Sequence, residues 1–160
     1  MPFPPFTAEA AESRIPPPTL LIVEDDMLIA ISLQGELEDA GYHVLDLTGR
    51  HHEALAAARA AKPALALVNI ELQGRDDGIA LARDLKTLGI PVLFISGQVS
   101  RAQSARSVAI GSLPKPYGPQ DMVQAVTYLL ARLAGNDSLP RPARLEVFGP
   151  FDNDTAAAAV

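Results

Sequence analysis

The sequence predicts a doubly wound, five-stranded parallel α/β sandwich. Three observations carry that prediction. Leu20-Leu21-Ile22-Val23 is an unbroken apolar run that ends in three acids, Glu24-Asp25-Asp26. Such a run suits a strand buried on both faces, as parallel sheets require. Further short apolar runs, ALALVNI at 64–70 and IPVLFI at 90–95, alternate with stretches of helical periodicity. The links between them are short and punctuated by Gly and Pro, which specifies strand–helix–strand units rather than hairpins.

The elements follow in order. Residues 1–18 hold six prolines and read as an extended arm, with Phe3, Phe6 and Ile15 available to dock on a neighbour. The domain proper spans 19–133. Its first strand covers about Thr19 to Glu24. From Asp26 to Ala40, Ile29, Leu33 and Leu37 recur every four residues, with Leu28 and Ile31 beside them, so a helix is expected. Gly41 is placed to stop it. Val44–Leu47 is a short second strand and His51–Lys62 an alanine-rich helix with Leu55 and Ala58 inward, ended by Pro63. Ala64–Ile70 is the third strand. Gly78–Leu88 is a helix packing through Ile79, Leu81, Ala82 and Leu85. Ile90–Ile95 is the fourth strand. Val99–Val108 is a short, polar helix, and Ile110–Leu113 the fifth strand. Pro119 opens the last helix, which runs to Leu133 on Met122, Val123, Val126, Leu129, Leu130 and Leu133. Residues 134–160 lose the pattern and read as a mostly irregular tail. Within it, Arg144–Phe148 offers a short strand that could pair with a sheet edge or a second protomer, but a floppy tail is the preferred reading. The alanine run from Thr155 to Val160 is too short to hold a helix alone.

Composition narrows the function. The net charge of −6 argues against non-specific binding to nucleic acid or to an anionic membrane surface. The absence of cysteine excludes disulfides, thiol chemistry and Cys-based zinc sites. No apolar run approaches the roughly 20 residues of a membrane span. The N-terminus lacks the basic and apolar regions of a signal peptide, so a cytoplasmic protein is expected. His43, His51 and His52 lack a further ligand at metal spacing and read as surface residues.

The chemistry lies where the strands end, since ligands of open α/β sheets bind beyond the carboxyl ends of the strands. Glu24, Asp25 and Asp26 follow the first strand, Asn69 and Glu71 the third, Ser96 the fourth and Lys115 the fifth. Two carboxylates about 4 Å apart repel by roughly 4 kcal/mol at an effective dielectric near 20. A lysine or a divalent cation such as Mg²⁺ would relieve them. Asp26 is alternatively a helix cap.

The motifs LIVEDD, ALVNIEL, PVLFISG and PKPY, in this order and spacing, resemble the receiver domains of two-component response regulators, the CheY-like (βα)5 fold with strand order 2-1-3-4-5. The resemblance implies Mg²⁺ held by Glu24, Asp25 and the carbonyl of Glu71. It implies a phosphoryl group taken from a histidine kinase at the end of the third strand, and contacts to that group from Ser96 and Lys115. It places Ser112 where the family carries a switch aromatic. One departure bears on mechanism. The acceptor position is Asn69, and an acyl phosphate needs a carboxylate nucleophile. Glu71 does not substitute, because two strand residues of displacement move a side chain by about 6.6 Å. Asn69 should also weaken Mg²⁺ and leave Lys115 free to pair with Asp25.

Two readings of Asn69 stay open: a receiver that acts by docking without phosphorylation, or a conventional receiver captured as an Asp→Asn variant. Both predict a non-enzymatic, single-domain signalling module, because few residues follow Leu133. The partners are a histidine kinase, a phosphotransfer protein or a second protomer. A haloacid-dehalogenase-like phosphatase would want Asp-x-Asp after the first strand. A flavodoxin-like nucleotide binder would want a Gly-rich or hydroxyl-rich loop there.

Overall fold

A computed structural model describes residues 15–149, apart from 73 and 75. The elements are β1 (Thr19–Val23), α1 (Met27–Asp39), β2 (His43–Val44), α2 (His51–Ala61), β3 (Leu65–Asn69), α3 (Gly78–Thr87), β4 (Val92–Ser96), α4 (Val99–Ser104), β5 (Gly111–Pro114), α5 (Pro119–Leu133) and β6 (Glu146–Val147). One sheet carries them in the order β2-β1-β3-β4-β5-β6. The first five strands are parallel, as the alternating pattern predicts.

Alternation along each strand splits the core in two. Leu20, Ile22, Leu65, Leu67, Leu93 and Ile95 face one layer, packed with Leu33 and Leu37 of α1 and Val126 and Leu129 of α5. Leu21, Val23, Ala66, Val68, Val92 and Phe94 face the other, packed with Ala54 and Ala58 of α2 and Leu81 and Leu85 of α3. Covered on both sides, the strands have no reason to alternate in polarity, which is why they read as continuous apolar runs. Burying each Leu or Val contributes about 1.5–3 kcal/mol.

Capping fixes where α1 begins and ends. Asp26 accepts from the amides of Leu28 and Ile29 at 3.0 and 3.3 Å. At the other end Gly41 adopts φ +98°, and the amides of Gly41 and Tyr42 close onto the carbonyls of Glu38 and Leu37, both at 3.0 Å. That double closure is a Schellman motif, and its left-handed residue favours glycine.

Several expectations are corrected. The second strand is two residues long rather than Val44–Leu47; beyond it only Thr48 bridges to Val23. The inner face of α1 is Ala30, Leu33 and Leu37, while Ile29 lies at its rim and Leu28 and Ile31 are exposed. On α2 the buried pair is Ala54 and Ala58, with Leu55 half-buried. The helix expected over Val99–Val108 stops at Ser104. Gln98 makes no side-chain cap bond, and six residues barely exceed one nucleating turn. The tail is not irregular throughout, because β6 pairs antiparallel with β5. Phe3, Phe6 and the run from Thr155 lie outside the described residues, whereas Ile15 is exposed.

Candidate functional site

The parallel register brings the ends of β1, β3 and β4 level, so residues far apart in sequence converge. Val23 pairs with Val68, and Asn69 with Ile95. Close packing beneath the rim fixes the third strand end. A Cβ on Gly78, the first residue of α3, would lie 2.2 Å from the Asn69 carbonyl oxygen. Only glycine lets α3 start this close to β3.

Asn69 is the hub and is 3% exposed. Its Nδ2 donates to Glu71 O at 3.0 Å, and to Glu24 Oε1 and Asp25 Oδ1 at 3.4 Å each. Its Oδ1 accepts from Lys115 Nζ at 3.3 Å. The amide therefore turns its positive end to the acids and its negative end to the lysine. This corrects the expectation that Lys115 would pair with Asp25. Lys115 itself is tied to the fourth strand by its backbone amide, which donates to Ser96 O at 2.8 Å.

Ser96 is 1% exposed, and its Oγ lies 2.9 Å from Glu71 Oε1. It also accepts from the Gln98 amide at 2.8 Å, which shapes the turn after β4. The side chain of Glu71 thus accepts from the hydroxyl, a contact with no signal in the residue pattern. The structure brings Glu24, Asp25, Asn69, Glu71, Ser96 and Lys115 together. Ser112 stands apart, buried in mid-strand between Phe94 of β4 and Glu146 of β6. Asp26 is a cap, as described. His43 and His52 are exposed, and His51 Nε2 sits 2.8 Å from Asp84 Oδ2.

Glu24 is 1% exposed, and its burial pushes the carboxyl above its ordinary range. Asp25 adds to that rise, while the Asp26 amide and Lys115 oppose it. Oε1 accepts from the Asp26 amide at 3.1 Å, but Oε2 is buried with no hydrogen-bond partner. An orphaned carboxylate oxygen of this kind suits a hard cation. Mg²⁺ commonly uses one or two carboxylates and keeps several waters. Glu24, Asp25 and the Glu71 carbonyl are the groups that would hold it. No cluster of three or more acidic, histidine or cysteine side chains of metal-binding geometry occurs among the described residues. An open cleft of about 730 Å³ adjoins Asp25, lined also by Met27, Thr48, Arg50, Glu53 and Asp76.

Acids at two strand ends, a hydroxyl on a third and a lysine on a fourth, gathered around one side chain of β3, define the class of signalling receivers. Residues 20–127 match the family described as "Response regulator receiver domain", and the chain belongs to that family. It is 31% identical over 114 residues to the phyllosphere-induced regulator PhyR of Methylorubrum extorquens, covering 69% of this chain and 43% of that protein. It is 30% identical over 122 residues to the transcriptional regulatory protein PdtaR of Mycobacterium tuberculosis, covering 72% and 58%. The chain spans about half the length of these curated relatives. Among solved structures, the receiver domain of a modulated diguanylate cyclase from Desulfovibrio desulfuricans is 33% identical with a TM-score of 0.66, covering 72% of this chain and 95% of that one. The receiver domain of NtrX from Brucella abortus is 31% identical with a TM-score of 0.65, covering 69% and 97%. No helix among the described residues is long and apolar enough to cross a membrane.

Proposed function

We propose that this chain is a receiver that signals by protein docking, without taking a phosphoryl group at residue 69. One observation carries the reading. The two N–H groups of the Asn69 amide serve, with one hydrogen shared, all three oxygen groups that would hold Mg²⁺: the Glu71 carbonyl at 3.0 Å, and Glu24 and Asp25 at 3.4 Å. It acts as a built-in substitute for the cation, so the acids are held together by the protein itself. A metal entering there would have to displace these bonds, and turning the amide over would set its N–H groups against the Lys115 ammonium.

Two further contacts support the reading. Phosphoryl transfer to a receiver breaks the donor's P–N bond and forms a P–O bond to a carboxylate oxygen. An amide oxygen is a weak nucleophile and cannot give the same acyl phosphate. The groups that would receive the phosphoryl oxygens already have partners: Lys115 holds Asn69 Oδ1, and Ser96 holds the Glu71 carboxylate. The partner we propose is a histidine kinase or phosphotransfer protein in the cytoplasm, or a second protomer, engaged without catalysis by this chain.

A second reading is favoured by a different observation. Glu24, Asp25, Ser96 and Lys115 still converge on residue 69, so a carboxylate there would meet a complete receiver site. On that reading the chain is the Asp→Asn form of a conventional receiver. Binding to the paired kinase, measured by titration calorimetry with and without acetyl phosphate and Mg²⁺, tests the first. The same Kd under both conditions is expected, and a change on adding the phosphodonor would overturn it.

A further inference from the structure

The edge of the sheet beyond β5 is closed by the chain's own C-terminal segment. Val147 pairs with Gly111 and Glu146 with Ser112, and the Phe148 amide donates to Ile110 O at 2.8 Å. A pairing this short does not sustain itself. Side chains hold it. Leu145 and Val147 are buried in the layer shared with α1 and α5, and Phe148 in the layer shared with α2, α3 and α4.

The groove that receives the segment is shaped to it on both walls. On the helix side, Ala102, Ala105 and Ala109 belong to the same buried cluster as Phe148, and their small side chains leave room for the ring. The Arg106 guanidinium lies 5.6 Å from the ring centroid, within cation–π range. Gln103 Nε2 donates to Glu146 Oε2. On the strand side, a Cβ on Gly111 would stand 2.6 Å from the Glu146 carbonyl oxygen. Glycine is what allows the segment's backbone to approach. By contrast, the link from α5, residues 134–144, is exposed along almost its whole length. The segment is therefore secured at its tip, and the five parallel strands are paired to one another without it.

We propose that the α4–β5 groove is a strand-binding site and that Leu145–Phe148 is its resident, displaceable ligand. The partner it fits is an extended peptide that adds antiparallel to β5, with an aliphatic residue, an acid, a second aliphatic residue and a terminal aromatic. This is recognition by strand addition, with backbone bonds giving affinity and side-chain seats giving specificity. It holds whether or not residue 69 takes a phosphoryl group. The tether gives the resident segment an effective concentration of about millimolar, so an outside strand enters when the resident is weakened.

The test uses a fluorescent peptide of residues 144–149, RLEVFG, and anisotropy on the full chain. Phe148→Ala removes the resident's anchor but leaves the seat, so it should bind the peptide at least about tenfold more tightly than the unaltered chain. Adding Gly111→Ala fills the seat and should abolish that binding. A folded Phe148→Ala chain that fails to bind overturns the proposal, as does a double variant that binds equally well. Hydrogen exchange on the unaltered chain decides the matter even if Phe148→Ala does not fold. The Phe148 amide should exchange at least about tenfold faster than those of Val68 and Phe94, reporting local release. Equal protection would make the segment a permanent strand and refute its displacement.

Discussion

Asn69→Asp replaces a donor at the centre of the site with a carboxylate that faces those of Glu24 and Asp25. The new oxygen would occupy the place of Nδ2, 3.4 Å from both Glu24 Oε1 and Asp25 Oδ1. At an effective dielectric near 20, each contact becomes a repulsion of about 5 kcal/mol. Lys115, 3.3 Å from the other oxygen, returns about 5 kcal/mol of attraction. The balance is about 5 kcal/mol against the metal-free folded state, before side chains move apart or one carboxyl takes up a proton. With that relaxation, a loss of about 3 kcal/mol is expected, a large part of the 5–15 kcal/mol typical of a domain. For a chain of this size it corresponds to a fall in Tm of about 6–12 °C. Millimolar Mg²⁺ should restore most of the loss in Asn69→Asp and change the unaltered chain little. Differential scanning calorimetry in EDTA and in MgCl₂ reads both effects. A variant that melts within about 2 °C of the parent in EDTA, and ignores Mg²⁺, would refute the idea that the amide stands in for a cation.

Three more outcomes follow from the same geometry. Glu24→Gln should raise Tm at pH 7, because the buried carboxyl has a raised pKa and one oxygen without a partner. A raised folded pKa means stability present at low pH that is lost as pH rises from about 4.5, so the variant's advantage should vanish near pH 4. The Tyr117 hydroxyl, pushed up to about 12 by burial with help from Glu24 and Glu36, should cost the chain stability between pH 10 and 12. Tyr117→Phe should flatten that part of the denaturant-unfolding profile. Gly78→Ala, which sets a methyl group 2.2 Å from the Asn69 carbonyl, should destabilise the chain by about 2–4 kcal/mol in urea unfolding.

Much of the fold was legible because both faces of the sheet are covered. Continuous runs such as Leu20–Val23 and Val92–Ile95 have few other homes. Where packing is weaker, the pattern blurred. The six residues of α4 bury only Ala102, so no periodic stripe marks their end. β6 rests on two pairs and the buried side chains of Leu145, Val147 and Phe148, and in sequence so short a stretch hardly stands out from the Gly-, Pro- and Asn-rich tail around it. Ile29 falls at the rim of the α1 face, since an every-four pattern drifts around a helix of 3.6 residues per turn.

The members of the site were also readable, because strand ends on a parallel sheet must gather on one rim. Their pairing was not. Lys115 bonds Asn69 rather than Asp25, and Ser96 bonds Glu71, because each choice depends on which rotamer meets which neighbour. Ser112 is marked in sequence only by the position the resemblance gives it. Its burial between β4 and β6 ties it to the sheet edge instead of the acidic pocket.

On the proposed reading, Asn69 alone silences an otherwise assembled receiver site. Intact mass after exposure to acetyl phosphate and Mg²⁺, on this chain and on Asn69→Asp, addresses it most directly. One added phosphoryl group is expected on Asn69→Asp and none on the parent chain. Labelling of the parent chain, or of neither, would contradict it.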